Sequence, residues 1–130
     1  MYVADTHALA LYSFTKKGLP GRTAKKIFLD AEAGRTNVFI PTVVLWEITV
    51  LAELGRINLH QNFEHWCRSL DNQAGFSIVD LEWLDVKEAR RLPFKDPFDR
   101  LIAGTAVRLD ATLITKDRQI VDSNLVRTAW

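Results

Sequence analysis

Val38-Phe39-Ile40-Pro41-Thr42-Val43-Val44-Leu45-Trp46-Glu47-Ile48-Thr49-Val50-Leu51-Ala52 changes character once and carries a single charge. Its first three residues are β-branched or aromatic and Pro41 closes them, so they read as a short buried strand. The apolar run then continues to Leu54 and stops at Gly55, which predicts a helix over residues 42–54. A buried strand handed directly to a long helix is the alternation of an α/β domain.

The same alternation extends in both directions. Tyr2-Val3-Ala4 reads as a first strand ending at Asp5, with a helix over residues 6–14 and a turn over 16–21. Residues 22–33 place Ala24, Ile27, Phe28 and Ala31 at helical spacing, and Gly34 ends that helix. Further helices are expected over 62–70, 82–92 and from Pro97 to about 109, with strands over 76–81 and 112–114. Leu125-Val126-Arg127 reads as a fifth strand, and Trp130 as the residue that pins it. The expected architecture is a central parallel sheet flanked by helices in one domain over residues 1–130. In such sheets ligands bind beyond the carboxyl ends of the strands, where strand order reverses.

Composition narrows the class without naming a partner. Lys plus Arg total 17 against 16 for Asp plus Glu, so a nucleic-acid footprint would have to be local. Hydrophobic residues at 48% suit an ordinary globular core. The lone Cys67 excludes an internal disulfide and fits a reducing, cytoplasmic location. Neither a signal peptide nor an apolar run of about 20 residues is present, so no membrane span is expected.

The acids carry the chemistry. Asp5 follows the first strand and Asp117 the fourth, and each doubles as a helix cap. Asp96-Pro97-Phe98-Asp99 is an ideal helix start, which accounts for Asp96 better than for Asp99. Glu47 is different, because Val43, Val44, Val50 and Leu51 occupy its helical neighbour positions and offer no cation. A carboxylate in that setting takes up a proton, finds a distant cation or binds a metal ion. If Asp5 and Asp117 end neighbouring strands, and Glu47 and Asp99 lie in the first turns of helices over that edge, four carboxylates converge. Hard oxygen donors of this kind suit Mg²⁺ or Mn²⁺, and no Cys or His spacing suggests zinc.

Four blocks, in order, resemble the PIN-domain family, and in particular VapC-type toxin ribonucleases. They are Val3-Ala4-Asp5-Thr6-His7-Ala8-Leu9, Val44-Leu45-Trp46-Glu47-Ile48, Asp96-Pro97-Phe98-Asp99-Arg100-Leu101-Ile102-Ala103 and Leu113-Ile114-Thr115-Lys116-Asp117. Val126-Arg127-Thr128-Ala129-Trp130 is similar to one subgroup's ending. The resemblance implies a Rossmann-like α/β/α sandwich that cleaves RNA with Mg²⁺ or Mn²⁺. It places Asp5, Glu47 and Asp99 on the principal acidic positions, Asp117 on a more variable fourth, and Asp96 on an outer or second-metal contact. Thr6 and Thr115 fall on hydroxyl positions that orient a carboxylate or a water. It also implies a homodimer and a small antitoxin partner. The chain departs from the pattern at Leu51, where a lysine is frequent, and at Pro93-Phe94-Lys95, where histidines are frequent.

Two basic clusters are candidate phosphate contacts: Lys16, Lys17, Arg22, Lys25 and Lys26, and then Arg90, Arg91, Lys95 and Arg100. Arg100, beside Asp99, is the strongest of these. His7 reads as a helix residue packed beneath the site, and Trp46, Trp66 and Trp83 as core or interface. Two other functions stand against the nuclease: a PIN-like RNA- or partner-binding module without catalysis, and a receiver-like phosphoacceptor using Thr115-Lys116.

Overall fold

The computed structural model describes residues 1–15 and 20–130, so the turn expected over 16–21 falls largely outside the described residues, as do Lys16 and Lys17. The elements are β1 (Tyr2–Ala4), α1 (Thr6–Phe14), α2 (Arg22–Glu32), β2 (Val38–Pro41), α3 (Thr42–Glu53) and α4 (Phe63–Asp71). There follow β3 (Phe76–Val79), α5 (Trp83–Ala89), α6 (Pro97–Arg108), β4 (Thr112–Ile114), α7 (Arg118–Ser123) and β5 (Thr128–Ala129).

All strand pairs are parallel and the order is β3-β2-β1-β4-β5. The chain adds strands outward from β1 in one direction, then crosses over to lay β4 on the other side. The switch therefore lies between β1 and β4, whose registers pair Tyr2 with Thr112 and Ala4 with Ile114. This is the α/β sheet expected from the sequence. A receiver-like order of 2-1-3-4-5 would put a different strand beside the first, so that alternative is set aside.

Val3, Ala4, Val38, Ile40, Leu113 and Ile114 are buried on both sheet faces, which is why these strands read as continuous apolar runs. Ile48 and Val44 of α3, Leu9 of α1, Phe28 of α2 and Ile102 of α6 close the core over them. Tyr12, Phe28 and Phe76 stack with nearly parallel rings, tying α1 and α2 to the edge of β3. The stop at Gly55 holds, with φ of 71° beyond the last turn of α3.

One expectation changes. The fifth strand is Thr128–Ala129, not residues 125–127. Asn124 ends α7 in the left-handed region (φ 54°), and the ladder begins only where Leu113 donates to the Arg127 carbonyl at 2.8 Å. Val126 is apolar because it packs into the core on the way in, and Leu125 is 54% exposed. Of the tryptophans read as core or interface, Trp66 is buried in the core, whereas Trp46 and Trp83 are 54% and 74% exposed at the surface.

Helices α5 and α6 are held by a buried ion pair that the sequence did not announce. Asp85 has no solvent exposure and receives Arg108 Nε at 2.5 Å, while the Glu82 backbone N–H donates to its other oxygen at 2.7 Å. Gly104 lets the two backbones meet there, since a Cβ would lie 2.5 Å from the Asp85 carbonyl oxygen. Removing one partner of a buried pair strands the other charge. Arg108→Ala should therefore cost about 3 kcal/mol in urea unfolding with unchanged m. Arg68→Ala, in the exposed pair with Glu64, should cost under about 0.5 kcal/mol. Equal costs would remove the special role of Asp85.

Candidate functional site

The carboxyl ends of β1 and β4 each release the chain into a helix, and an aspartate sits at each exit. Asp5 is buried, and its Oδ1 accepts the Ala8 N–H at 2.6 Å as the cap of α1. Asp117 is exposed and caps α7, with Oδ1 accepting from Gln119 and Ile120 at 2.8 and 3.2 Å. Asp96 caps α6 in the same way, through Phe98 and Asp99 at 2.8 and 3.2 Å. Capping is thus real for all three, and in each it uses one oxygen, Oδ1.

Glu47 lies one turn deeper in α3 than expected, on the second turn rather than the first. It is half-buried, and its Oε1 accepts the Thr6 hydroxyl at 2.7 Å. Asp99, in the first turn of α6, is half-buried too, and no hydrogen-bond donor or cation among the described residues reaches its carboxylate. None of the ion pairs among the described residues includes Asp5, Glu47, Asp96, Asp99 or Asp117.

Electrostatics joins these acids. Burial, followed by the charges of Asp96, Glu47, Asp117 and Asp5, pushes the Asp99 carboxyl up to about 7. Burial also raises Glu47, against the Thr6 hydrogen bond, and Asp96 and Asp5 raise it further. Asp5 is raised by burial against hydrogen bonds from Thr115 and Ala8. Asp99 therefore feels all four other acids. The sequence singled out Glu47 as the unexplained charge. The structure gives Glu47 a partner and leaves Asp99 as the one without.

The supporting residues also find places. Thr6 is buried against Glu47, and Thr115 is buried and accepts the Asp117 N–H at 3.1 Å. Arg100 turns its Nε to the Ala89 carbonyl at 3.3 Å, at the end of α5, and forms no ion pair with Asp99. His7 is exposed rather than packed beneath the site, because Thr6 and Ala8 take the inward positions of α1. With Asp5, Lys116 and Asp117 it lines a cavity of about 240 Å³. Lys116 thus brings an ammonium, and His7 an imidazole, to this edge. In the sequence Lys116 points only to a phosphoacceptor chemistry, although its place between Thr115 and Asp117 is the signal for this edge.

The donor set suits a hard divalent cation: all oxygen, unpaired with protein cations, and raising one another's proton affinity. Among the described residues no three His, Cys, Asp or Glu side chains are gathered tightly enough to enclose an ion.

A parallel sheet with acids at its β1/β4 switch defines a Rossmann-like α/β domain with an acidic edge. The chain belongs to the PIN-domain family, which it matches over residues 2–123. No curated protein matches it in sequence. Among solved structures it is similar to VapBC2 from Rickettsia felis bound to a DNA fragment from its promoter, with TM-score 0.70, 17% identity and coverage of 98% of this chain and 96% of that one. It is similar to FitAcB from Neisseria gonorrhoeae, with TM-score 0.64, 15% identity and the same coverages. A toxin–antitoxin complex from Klebsiella pneumoniae follows at TM-score 0.57 and 19% identity, covering 90% of this chain and 87% of that one. At these identities the likeness is one of fold.

Because the folded value of Asp99 lies above the ordinary 3.8, its contribution to stability is complete below that pH and is lost as pH rises through about 7. In EDTA, stability should fall between about pH 4 and about pH 8. Asp99→Asn should flatten that fall, gaining on the parent by about 1 kcal/mol across the interval after solvent screening. Parallel curves for the two proteins would contradict the raised value.

Proposed function

We propose that the chain is a metal-dependent endoribonuclease, the toxin of a type II toxin–antitoxin pair, acting in the cytoplasm. The observation that carries this is the convergence of Asp96, Glu47, Asp117 and Asp5 on Asp99, with none of the five in an ion pair among the described residues. Membership of the PIN-domain family supports the nuclease reading. The toxin–antitoxin neighbours support an antitoxin partner.

Asp5, Glu47 and Asp99 would hold Mg²⁺ or Mn²⁺, with Asp117 and then Asp96 contributing at the margin. A bound cation supplies Lewis acidity, activating water and neutralising charge on the phosphodiester. The chain's own share is preorganisation. Thr6 fixes the Glu47 rotamer and the Ala8 N–H holds one oxygen of Asp5, so both carboxylates are aimed before substrate arrives. Burial and the neighbouring acids raise the Asp99 carboxyl to about 7, and a divalent cation held there would favour its ionised form. The exposed Trp46 and Trp83 suit protein interfaces, either with an antitoxin or in a homodimer. No described helix is long and apolar enough to cross a membrane.

One observation favours a second reading, a partner- or RNA-binding module without catalysis: the acids stand open rather than enclosing an ion. Cleavage of single-stranded RNA decides between them. With Mg²⁺ or Mn²⁺ the parent should cleave, EDTA should stop it, and Asp5→Ala, Glu47→Gln and Asp99→Ala should each lose at least about a hundredfold. Equal activity in all variants would sink the assignment. A folded parent that binds RNA and never cuts it would establish the second reading.

A further inference from the structure

We propose that Lys116 is the site's phosphate anchor and that Trp130 is the residue that positions it; this rests on the nucleic-acid reading above. Lys116 lies between Thr115 and Asp117 and lines the same small cavity as Asp5, His7 and Asp117. A lysine beside acids is expected to pair with one of them, yet Lys116 forms no ion pair within 4.0 Å among the described residues. Its Nζ stands instead over the Trp130 ring, 5.5 Å from the centroid. A cation–π contact attracts the ammonium without neutralising it, so the charge stays available to an incoming anion.

Trp130 is itself built in. Thr115 donates its N–H to the Ala129 carbonyl at 3.1 Å, fixing the residue before the indole alongside β4. Gly21, at the start of α2, makes room for the ring, since a Cβ there would lie 2.5 Å from Trp130 Cδ1 and 2.7 Å from its carbonyl carbon. The indole is thus wedged between the beginning of α2 and the exit of β4. A free ammonium held beside the catalytic carboxylates matches a phosphodiester oxygen next to the bond being cut. It would also lessen the repulsion that an acidic edge exerts on RNA.

Binding of a fluorescent 2′-O-methyl oligonucleotide of mixed sequence, measured by anisotropy in EDTA, reads this separately from cleavage. Lys116→Ala should weaken binding about tenfold and lower the slope of log Kd against log salt by about 0.7, the loss of one phosphate contact on a single strand. Lys116→Arg should restore both. Trp130→Leu should weaken binding in the parent and add nothing in the Lys116→Ala background, whereas a purely structural Trp130 would weaken both equally. Trp130→Phe, which keeps a ring, should lie close to the parent. An unchanged slope in Lys116→Ala would overturn the proposal while leaving the nuclease intact. A parent that binds with the expected lysine dependence but never cleaves supports the anchor and refutes the nuclease. A parent that binds no RNA refutes the anchor.

Discussion

Mutual repulsion among carboxylates at the end of a parallel sheet is the constraint around which this molecule is arranged. Asp5, Glu47, Asp96, Asp99 and Asp117 face one another across the β1/β4 switch, and among the described residues no protein cation is paired to any of them. Asp85 shows that the same chain can neutralise an acid when stability is the purpose. It is more deeply buried than any of the five, and Arg108 and a backbone N–H satisfy it completely. One domain thus treats one residue type in opposite ways on its two sides. The apolar strands and the helices over them supply the stability that lets the acidic edge remain unneutralised.

The hydrophobic pattern carried the fold into the sequence because each strand is buried on both faces and each helix on one. The run from Val38 to Leu54 marks a strand and a helix within a residue or two of their observed ends. Reading failed where the cue was not periodicity. The last strand is short and set by its hydrogen bonds to β4, so Leu125-Val126 looked like a strand when Val126 was only a core contact. The Asp85–Arg108 pair joins residues far apart in sequence, and nothing local betrays it.

The acids were legible one by one, and their order of importance was not. Glu47 stood out because its helical neighbours are apolar, but the hydroxyl that satisfies it belongs to Thr6 on another helix. Asp99 looked like an ordinary first-turn acid, and only the approach of β1, β4 and α3 makes it the meeting point of four charges. His7 and Lys116 were underread for a related reason: alternation along a helix or strand exit decides which of two adjacent polar residues faces the cavity.

The division of labour between carboxylate oxygens at Asp5, Asp96 and Asp117 has an evolutionary side. Asparagine caps a helix about as well as aspartate, so each cap survives when the charge is erased. A single base change converts an aspartate codon to an asparagine one. Loss of the negative edge therefore lies one mutational step away with no folding barrier in between. A lineage no longer selected for what these carboxylates do would drift into well-folded, soluble and inert descendants rather than into aggregates.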